Sequence, residues 1–437
     1  MRKLIVSMAA LAAAIAPGLA AAETLAESMV AAQETNPSLA AQRQRLRATQ
    51  EALPQAWAAA LPQVSLSGTA GWSDRDSDNP LLETGRNESW SSSANLSQLL
   101  FGSGRVLAGT RAARAQIAGA VSNFELARQT LLLDVTRAYA DVRQAQAIVA
   151  ARETTVHNLT RLLEYAQAQF DAGVVTRTDV AQAQARLAQA RTLLVQAQGA
   201  LAASVQAYQR LVGYPPSELA APARATGLPT DLNSALESAT RLSPVLISAE
   251  SSVELADANV DVAAAQGRLN VTLEAGAGLG GNFDDSFDDT SIDSVGVRVA
   301  VPLFQGGAIR SRTRQQRALR SAANLDLASV QRTVQETVTN AWTGLASARA
   351  AVDSAREQVS AAELAYEGVT LEQETGLRST VEVLNQEQDL LDARIALAQA
   401  ERNLVVAERQ LLAAVGTLDV PSGGGAIQEN RDQLRGR

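Results

Sequence analysis

The 437-residue chain has no cysteine and a single histidine, and aromatic residues make up only 3% of it. Without cysteine there is neither a disulfide framework nor a lipid anchor on an amino-terminal cysteine. His157 has no second histidine to pair with, and neither a nucleophile elbow nor a phosphate-binding loop occurs. An enzyme therefore lacks its parts, and no cofactor or metal is implied; His157, next to Val156, is expected at a helix surface. No apolar run of 18 residues occurs beyond the first 22, which excludes transmembrane helices. There is no concentrated basic stripe either. Without Arg2 and Lys3 the 38 basic residues become 36 against 46 acidic ones, a net charge of −10, which speaks against nucleic acid as a partner.

The chain opens with basic Met1-Arg2-Lys3, an apolar run from Leu4 to Ile15, a Pro17-Gly18 break and small Ala20-Ala21-Ala22. This is the pattern of a secretory signal peptide over residues 1–22, too short in its apolar core for a spanning helix. The mature chain is expected to start near Glu23 and to work outside the cytoplasm.

The mature chain is written twice. Thr136-Arg137-Ala138-Tyr139 recurs as Thr339-Asn340-Ala341-Trp342, Asp171-Ala172-Gly173-Val174 as Glu374-Thr375-Gly376-Leu377, and Leu211-Val212-Gly213 as Ala414-Val415-Gly416, all at an offset of 203. Leu100-Phe101 and Leu303-Phe304 keep it, whereas Asn36-Pro37 and Ser243-Pro244 lie 207 apart. Such self-similarity predicts a first structural repeat over 23–216, a linker over 217–230, a second repeat over 231–416 and a tail over 417–437. Each repeat reads as helix, strand, loop, strand, long helix, turn, helix. The first helix opens with a capping box, Thr24 with Glu27, and is expected to run on with interruptions at Pro54 and Pro62.

In the long helices Leu131, Val135, Ala138, Val142, Ala145, Val149, Arg152, Val156, Leu159, Leu163, Ala166 and Phe170 alternate steps of four and three, and the positions 203 further on repeat the series from Val334 to Gln373. The return helices carry Val180, Leu187, Leu194, Leu201 and Tyr208, and again Val383, Leu390, Leu397, Leu404 and Leu411, every seven residues. This is the spacing of supercoiled, side-by-side helices, a pattern that a soluble coiled-coil hairpin would share. The strands argue against such a hairpin. Val64, Leu66, Ala70 and Trp72 alternate with Gln63, Ser65, Ser67 and Thr69; Val271, Leu273, Ala275, Ala277 and Leu279 alternate likewise, as do Val295, Val297, Val299, Val301 and Leu303, and more weakly Trp90 to Leu100. Segments of about ten residues with one apolar face match outer-membrane strands, and Trp72 and Trp90 fall at the loop ends, where interfacial aromatics belong. Four strands cannot enclose a lumen, since about eight is the minimum, and open edges are not tolerated in hydrocarbon. Closure must come from oligomerisation, as a dimer or a trimer.

The duplicated plan and the phrase Glu34-Thr35-Asn36-Pro37 in the first helix resemble the TolC family of outer-membrane factors over essentially the whole mature chain. The resemblance implies an α+β membrane protein: a transmembrane β-barrel of four strands per chain, twelve in a homotrimer, continuous with a long coiled-coil α-helical barrel in the periplasm of a Gram-negative bacterium. It implies export, by type I protein secretion or multidrug efflux, with a periplasmic adaptor, an inner-membrane ABC or RND transporter and outer-membrane lipid as partners. The wording around Arg47-Ala48-Thr49-Gln50-Glu51 and Pro54-Gln55-Ala56 is closer to members serving type I secretion. The rival reading, a periplasmic coiled-coil adaptor, would carry one helical hairpin flanked by small β-domains and no duplicated membrane strands.

By the same resemblance the helix tips form a gate at the periplasmic end. Arg378 and Asp179, beside Thr178, would be its network pair, and Glu382 and Asn385 would occupy ring positions; Asn385 departs from the acidic residue typical there, which leaves the inner ring uncharged. Gly173, Val174, Gly376 and Leu377 form the tip turns and the adaptor contact. The residues also have an ordinary reading: Thr176 with Asp179 and Ser379 with Glu382 are capping boxes, and Gly173 and Gly376 are left-handed helix ends. Phe283 to Asp289, rich in aspartate, resembles no calcium loop and reads as a solvated loop.

Overall fold

The computed structural model describes residues 22–76, 85–283 and 289–420. Along the chain come α1 (Leu25–Thr35), α2 (Pro37–Gln50), α3 (Ala52–Ala58), β1 (Gln63–Arg75), β2 (Gly85–Phe101), α4 (Arg105–Asp171), α5 (Arg177–Val212), α6 (Leu232–Leu242), α7 (Pro244–Ala265), β3 (Asn270–Asn282), β4 (Thr290–Ala300), α8 (Ala308–Glu374) and α9 (Thr380–Val415). Both ends of α4 and α5 recur in α8 and α9 at the 203-residue offset, and both ends of α1 and β1 recur in α6 and β3 at 207. At 1.5 Å per residue, the 67 residues of α4 make a rod of roughly 100 Å.

Three expected boundaries move. The first helix is already broken at Asn36, because Pro37 disfavours helical backbone in the residue before it; Asn36 is extended at φ −71, ψ 117, and Pro37 opens α2. The break expected at Pro54 lies at Glu51, since Pro54 has no N–H for the Gln50 carbonyl but is tolerated inside the first turn of α3. Its counterpart in the second half is Asp261, and there α7 runs unbroken. Finally, β4 stops at Ala300, so Val301 and Leu303 lie beyond the strand they were expected to extend, ahead of the Gly306-Gly307 turn with its left-handed φ values of 58 and 81.

The described residues form two compact units, and each draws on both halves of the chain. One comprises the residues up to Pro37, Arg128–Ser234 and those from Val338 on. Its cores are the expected seams: Leu131, Val135, Val142, Leu159, Val180, Leu187, Val338, Leu345, Val352, Val383, Leu390 and Leu411 are buried. Ala183, Ala190, Ala197, Ala393 and Ala400 are buried between them, small enough to let the helices approach. Phe170, the last seam position of α4, is exposed instead, because the helix ends one residue later. The start of α1 is tied down by polar contacts: the buried Glu23 carboxylate accepts from Tyr208, from Ser28 at 3.0 Å and from Tyr214 at 3.0 Å. Burial pushes this carboxyl up, but those hydrogen bonds and one from the Ser217 backbone outweigh it and leave it below the usual range.

The other unit, Ser38–Ala127 with Ala235–Thr337, holds the antiparallel sheet in the order β1-β2-β3-β4. Beside it, Arg111 and Arg320 both reach Asp257, at 3.7 and 3.2 Å, which links the first part of α4 and of α8 to α7.

Candidate functional site

The sheet has two chemically different faces, and the strand register decides which residues share them. Leu66 opposes Ala94, Ala94 opposes Ala277, and Leu273, Ala275 and Val271 oppose Val297, Val295 and Val299. Because side chains alternate, these residues and Val64, Trp72 and Trp90 lie on one apolar face, where Leu66 is 79% and Val295 80% exposed. Trp72 and Trp90 sit on this face towards the β1–β2 connection, opposite Glu88 and Ala70. The Arg86 guanidinium lies 5.1 Å from the Trp72 ring and pairs with Glu88 at 2.7 Å at the loop end of this face, and Asp293, opposite Ala277, adds a charged residue to it within β4.

The other face is hydroxyl and glycine. Ser67 and Ser93 share a hydrogen bond of 2.8 Å, Thr69 and Ser91 one of 2.7 Å, and Asn95 donates to Ser93. Gly276, Gly278 and Gly296 leave the backbone bare, and among the described residues one ion pair, Arg298 donating to both Glu274 oxygens at 2.7 and 2.9 Å, compensates its own charge.

A bulge re-aims the last residue of β2. The register slips between Leu99 and Phe101, which leaves Leu100 as the extra residue and brings Phe101 opposite Val271 on the apolar face; unbroken alternation would have turned it to the polar face. Its counterpart Phe304, with Leu303, is almost fully exposed just past β4. These residues were missed as site residues, although three consecutive apolar positions, Leu99 to Phe101, already break the alternation in the sequence.

In the helical unit the tips are two copies of one turn. Gly173 and Gly376 adopt left-handed φ values of 75 and 78. Val174 and Leu377 donate back to the Gln169 and Glu372 carbonyls at 2.9 Å, and each helix thus ends in a Schellman turn. Their apolar side chains remain 69% and 78% exposed. The capping boxes are in place: Thr176 with Asp179 starts α5, and Ser379 with Glu382 starts α9. Thr178 is exposed on the first turn of α5 and Asn385 on the second turn of α9.

The two copies differ in charge. Arg378 donates to Glu372 at 2.8 Å and to Glu382 at 2.7 Å, so within one chain its partners lie in its own tip and do not include Asp179. Glu382, receiving the Ser379 backbone N–H, the Arg378 guanidinium and the Ser379 hydroxyl, has its carboxyl pulled down to about 2. Asp179 is lowered by the Thr176 hydroxyl, the Thr176 backbone N–H and its own backbone N–H, with no cation among the causes. Glu372 is the residue sequence reading missed, since its role depends on the turn folding it back over six positions. His157 is exposed, as expected, and of the acidic loop residues 284–288 lie outside the described residues.

This chain matches the family model "Outer membrane efflux protein" over residues 29–214 and 235–417, the two repeated halves. The chain belongs to that family. Among curated relatives it is 31% identical to the outer membrane efflux protein BepC of Brucella suis biovar 1, covering 95% of this chain and 91% of the relative. It is 30% identical to the outer membrane protein TolC of Vibrio cholerae, at 91% of each. It is also 27% identical to the alkaline protease secretion protein AprF of Pseudomonas aeruginosa, over 83% of this chain and 78% of the relative. The fold is that of the Campylobacter jejuni CmeC outer membrane channel, at a TM-score of 0.81, 16% identity and coverage of 95% and 89%. Family membership places this protein in the outer membrane, in a family of channels rather than enzymes, and among the described residues no helix is long and apolar enough to cross a membrane.

Proposed function

We propose that three copies of this chain close their sheets into one twelve-stranded outer-membrane barrel, and that exported substrates reach it through a helix-walled periplasmic tunnel gated at the tips. The observation that carries this is the sheet itself, whose one face is apolar and exposed, whose other face is hydroxylated, and whose edges β1 and β4 have no strand partner among the described residues. β1 and β4 run in opposite directions, so β4 of one copy can pair antiparallel with β1 of the next, and every edge disappears. Two copies would give a barrel just wide enough to be filled by its own side chains; three leave a lumen.

The membrane position follows from the aromatic residues. From the Phe101–Val271 pair to the Trp90–Gly281 pair is ten residues along β3, roughly 33 Å at about 3.3 Å each. At a tilt of about 45° that is roughly 23 Å of depth, close to the ~25 Å apolar band of such barrels. Phe101 and Phe304 then mark the periplasmic boundary, Trp72 and Trp90 the outer one, and Arg86 and Glu88 reach the headgroups.

At the tips of the helical unit, Arg378, Glu382, Asp179, Thr178 and Asn385 form the gate ring, and Gly173, Val174, Gly376 and Leu377 offer exposed turns to a periplasmic adaptor that links to an inner-membrane ABC or RND transporter. Exposed ion pairs are weak, so three related copies hold the ring only loosely, and an adaptor that binds the open form better can shift it. Native mass spectrometry of the detergent-extracted protein is expected to give a trimer that forms channels in planar bilayers; a folded, stable monomer would remove this reading.

A further inference from the structure

Glu387 lies seven residues into α9, four after Val383 and three before Leu390, at a seam position where an apolar residue is expected. It is 3% exposed. Asn158 of α4 donates its Nδ2 to both carboxylate oxygens, at 3.1 and 3.3 Å, and Thr155 of α4 and Tyr366 of α8 supply further hydrogen bonds. One carboxyl thus ties together three helices, next to the apolar cluster of Leu159, Leu187, Ala190 and Leu384 to which α5 contributes. Among the described residues no ion pair reaches it. Arg394 of α9 is engaged with Glu363 of α8 at 2.9 Å, and Arg161 of α4 acts at second hand, donating to the Asn158 carbonyl oxygen at 3.1 Å and so turning the amide donors towards Glu387.

We propose that Glu387 is a positioning residue for the gate: its neutral form locks the root of the second tip, which carries Arg378 and Glu382, against α4 and α8, and its ionisation loosens that lock. This rests on the tips being the gate. Burial disfavours the charged carboxylate and raises the group above the usual 4.5; the hydrogen bonds from Thr155, Asn158 and Tyr366 and the charge of Arg394 recover only part of that cost. Because the packed state raises the pKa, the stabilisation is full below the ordinary value and is lost as pH rises through the raised one. The tip groups do not compete in this window, since Glu382 and Asp179 are held below their usual range and Arg378 above its own.

The test is the opening frequency of assembled channels in planar bilayers between about pH 4.5 and 8. Wild-type opening is expected to rise with pH, by up to about tenfold for each unit by which packing raises the pKa. Glu387→Gln, near in shape and neutral throughout, should open rarely at every pH. Asn158→Ala, which removes two donors to the charged form, should move the midpoint upward. Infrared titration of the detergent-extracted protein should show a protonated carboxyl band above pH 4.5 that Glu387→Gln lacks. A wild-type pH profile in Glu387→Gln, or the same infrared band, would overturn the proposal while an Arg378→Glu channel that opens more readily keeps the gate reading; if Arg378→Glu opens no more readily than wild type, the gate reading fails and this proposal with it.

Discussion

Arg378 holds two carboxylates at once, and both belong to its own tip. Any contact it made with Asp179 of a neighbouring helix pair would have to be won from Glu372 and Glu382, which would keep the proposed ring weak and releasable. Reversing its charge should repel those carboxylates, and Arg378→Glu is expected to raise single-channel conductance in planar bilayers while trimer assembly, judged by native mass spectrometry, stays unchanged. The Ser379–Glu382 capping box makes a separate prediction for acid. Glu382 titrates below its ordinary value of 4.5, so its contribution is present above that value and is lost as pH falls towards about 2. Ser379→Ala removes a hydroxyl donor from this carboxylate, and loss of such a cap costs about 0.5–2 kcal/mol of helix stability. Acid opening of the Ser379→Ala channel should therefore begin at a higher pH than in wild type; identical acid limbs would show that the cap leaves the gate unaffected.

At the scale of elements, α5 offers two glycines with opposite expected responses. Gly213 ends the helix with φ 99, and a Cβ there would meet the Thr35 hydroxyl oxygen at 3.2 Å, a group that already donates to the Val212 carbonyl. Gly213→Ala should lower the melting temperature, at a cost of about 1–2 kcal/mol from the left-handed backbone. Gly199 lies mid-helix with open space around it, and Gly199→Ala should raise the melting temperature through a gain of about 0.5–1 kcal/mol. The sheet admits a similar contrast. Val297→Arg on the apolar face should cost about 2–4 kcal/mol if it lies near the bilayer midplane, whereas Ser93→Arg on the hydroxylated face should insert normally and alter only conductance. The yield of extractable trimer separates the two, and equal losses would contradict the assignment of the faces.

For the whole molecule, the sheet and the tips leave the cargo open, because a hydroxylated wall with one self-compensated ion pair does not select strongly. A deletion strain is expected to lose either resistance to toxic compounds or secretion of a large protein, and whichever fails names the export system. The local code of this protein is strong where a single chain segment suffices. The 3.5-residue seams, the strand alternation, the capping boxes and the glycine turns all depend on neighbours within a few positions and were legible residue by residue, and the repeat offsets needed only the two halves laid side by side. What depended on distant segments was not. The Leu100 bulge exists because β3 sets a register that β2 must meet, and Glu372 reaches Arg378 only once the turn has closed. α4 passes through Ala127 and Arg128 without interruption, yet it belongs to two compact units, because unit membership is decided by what packs against a helix rather than by the helix. Glu387 is the clearest case: among the glutamines and aspartates of α9 it reads as one more solvated charge, and only the convergence of α4, α8 and α9 removes its water.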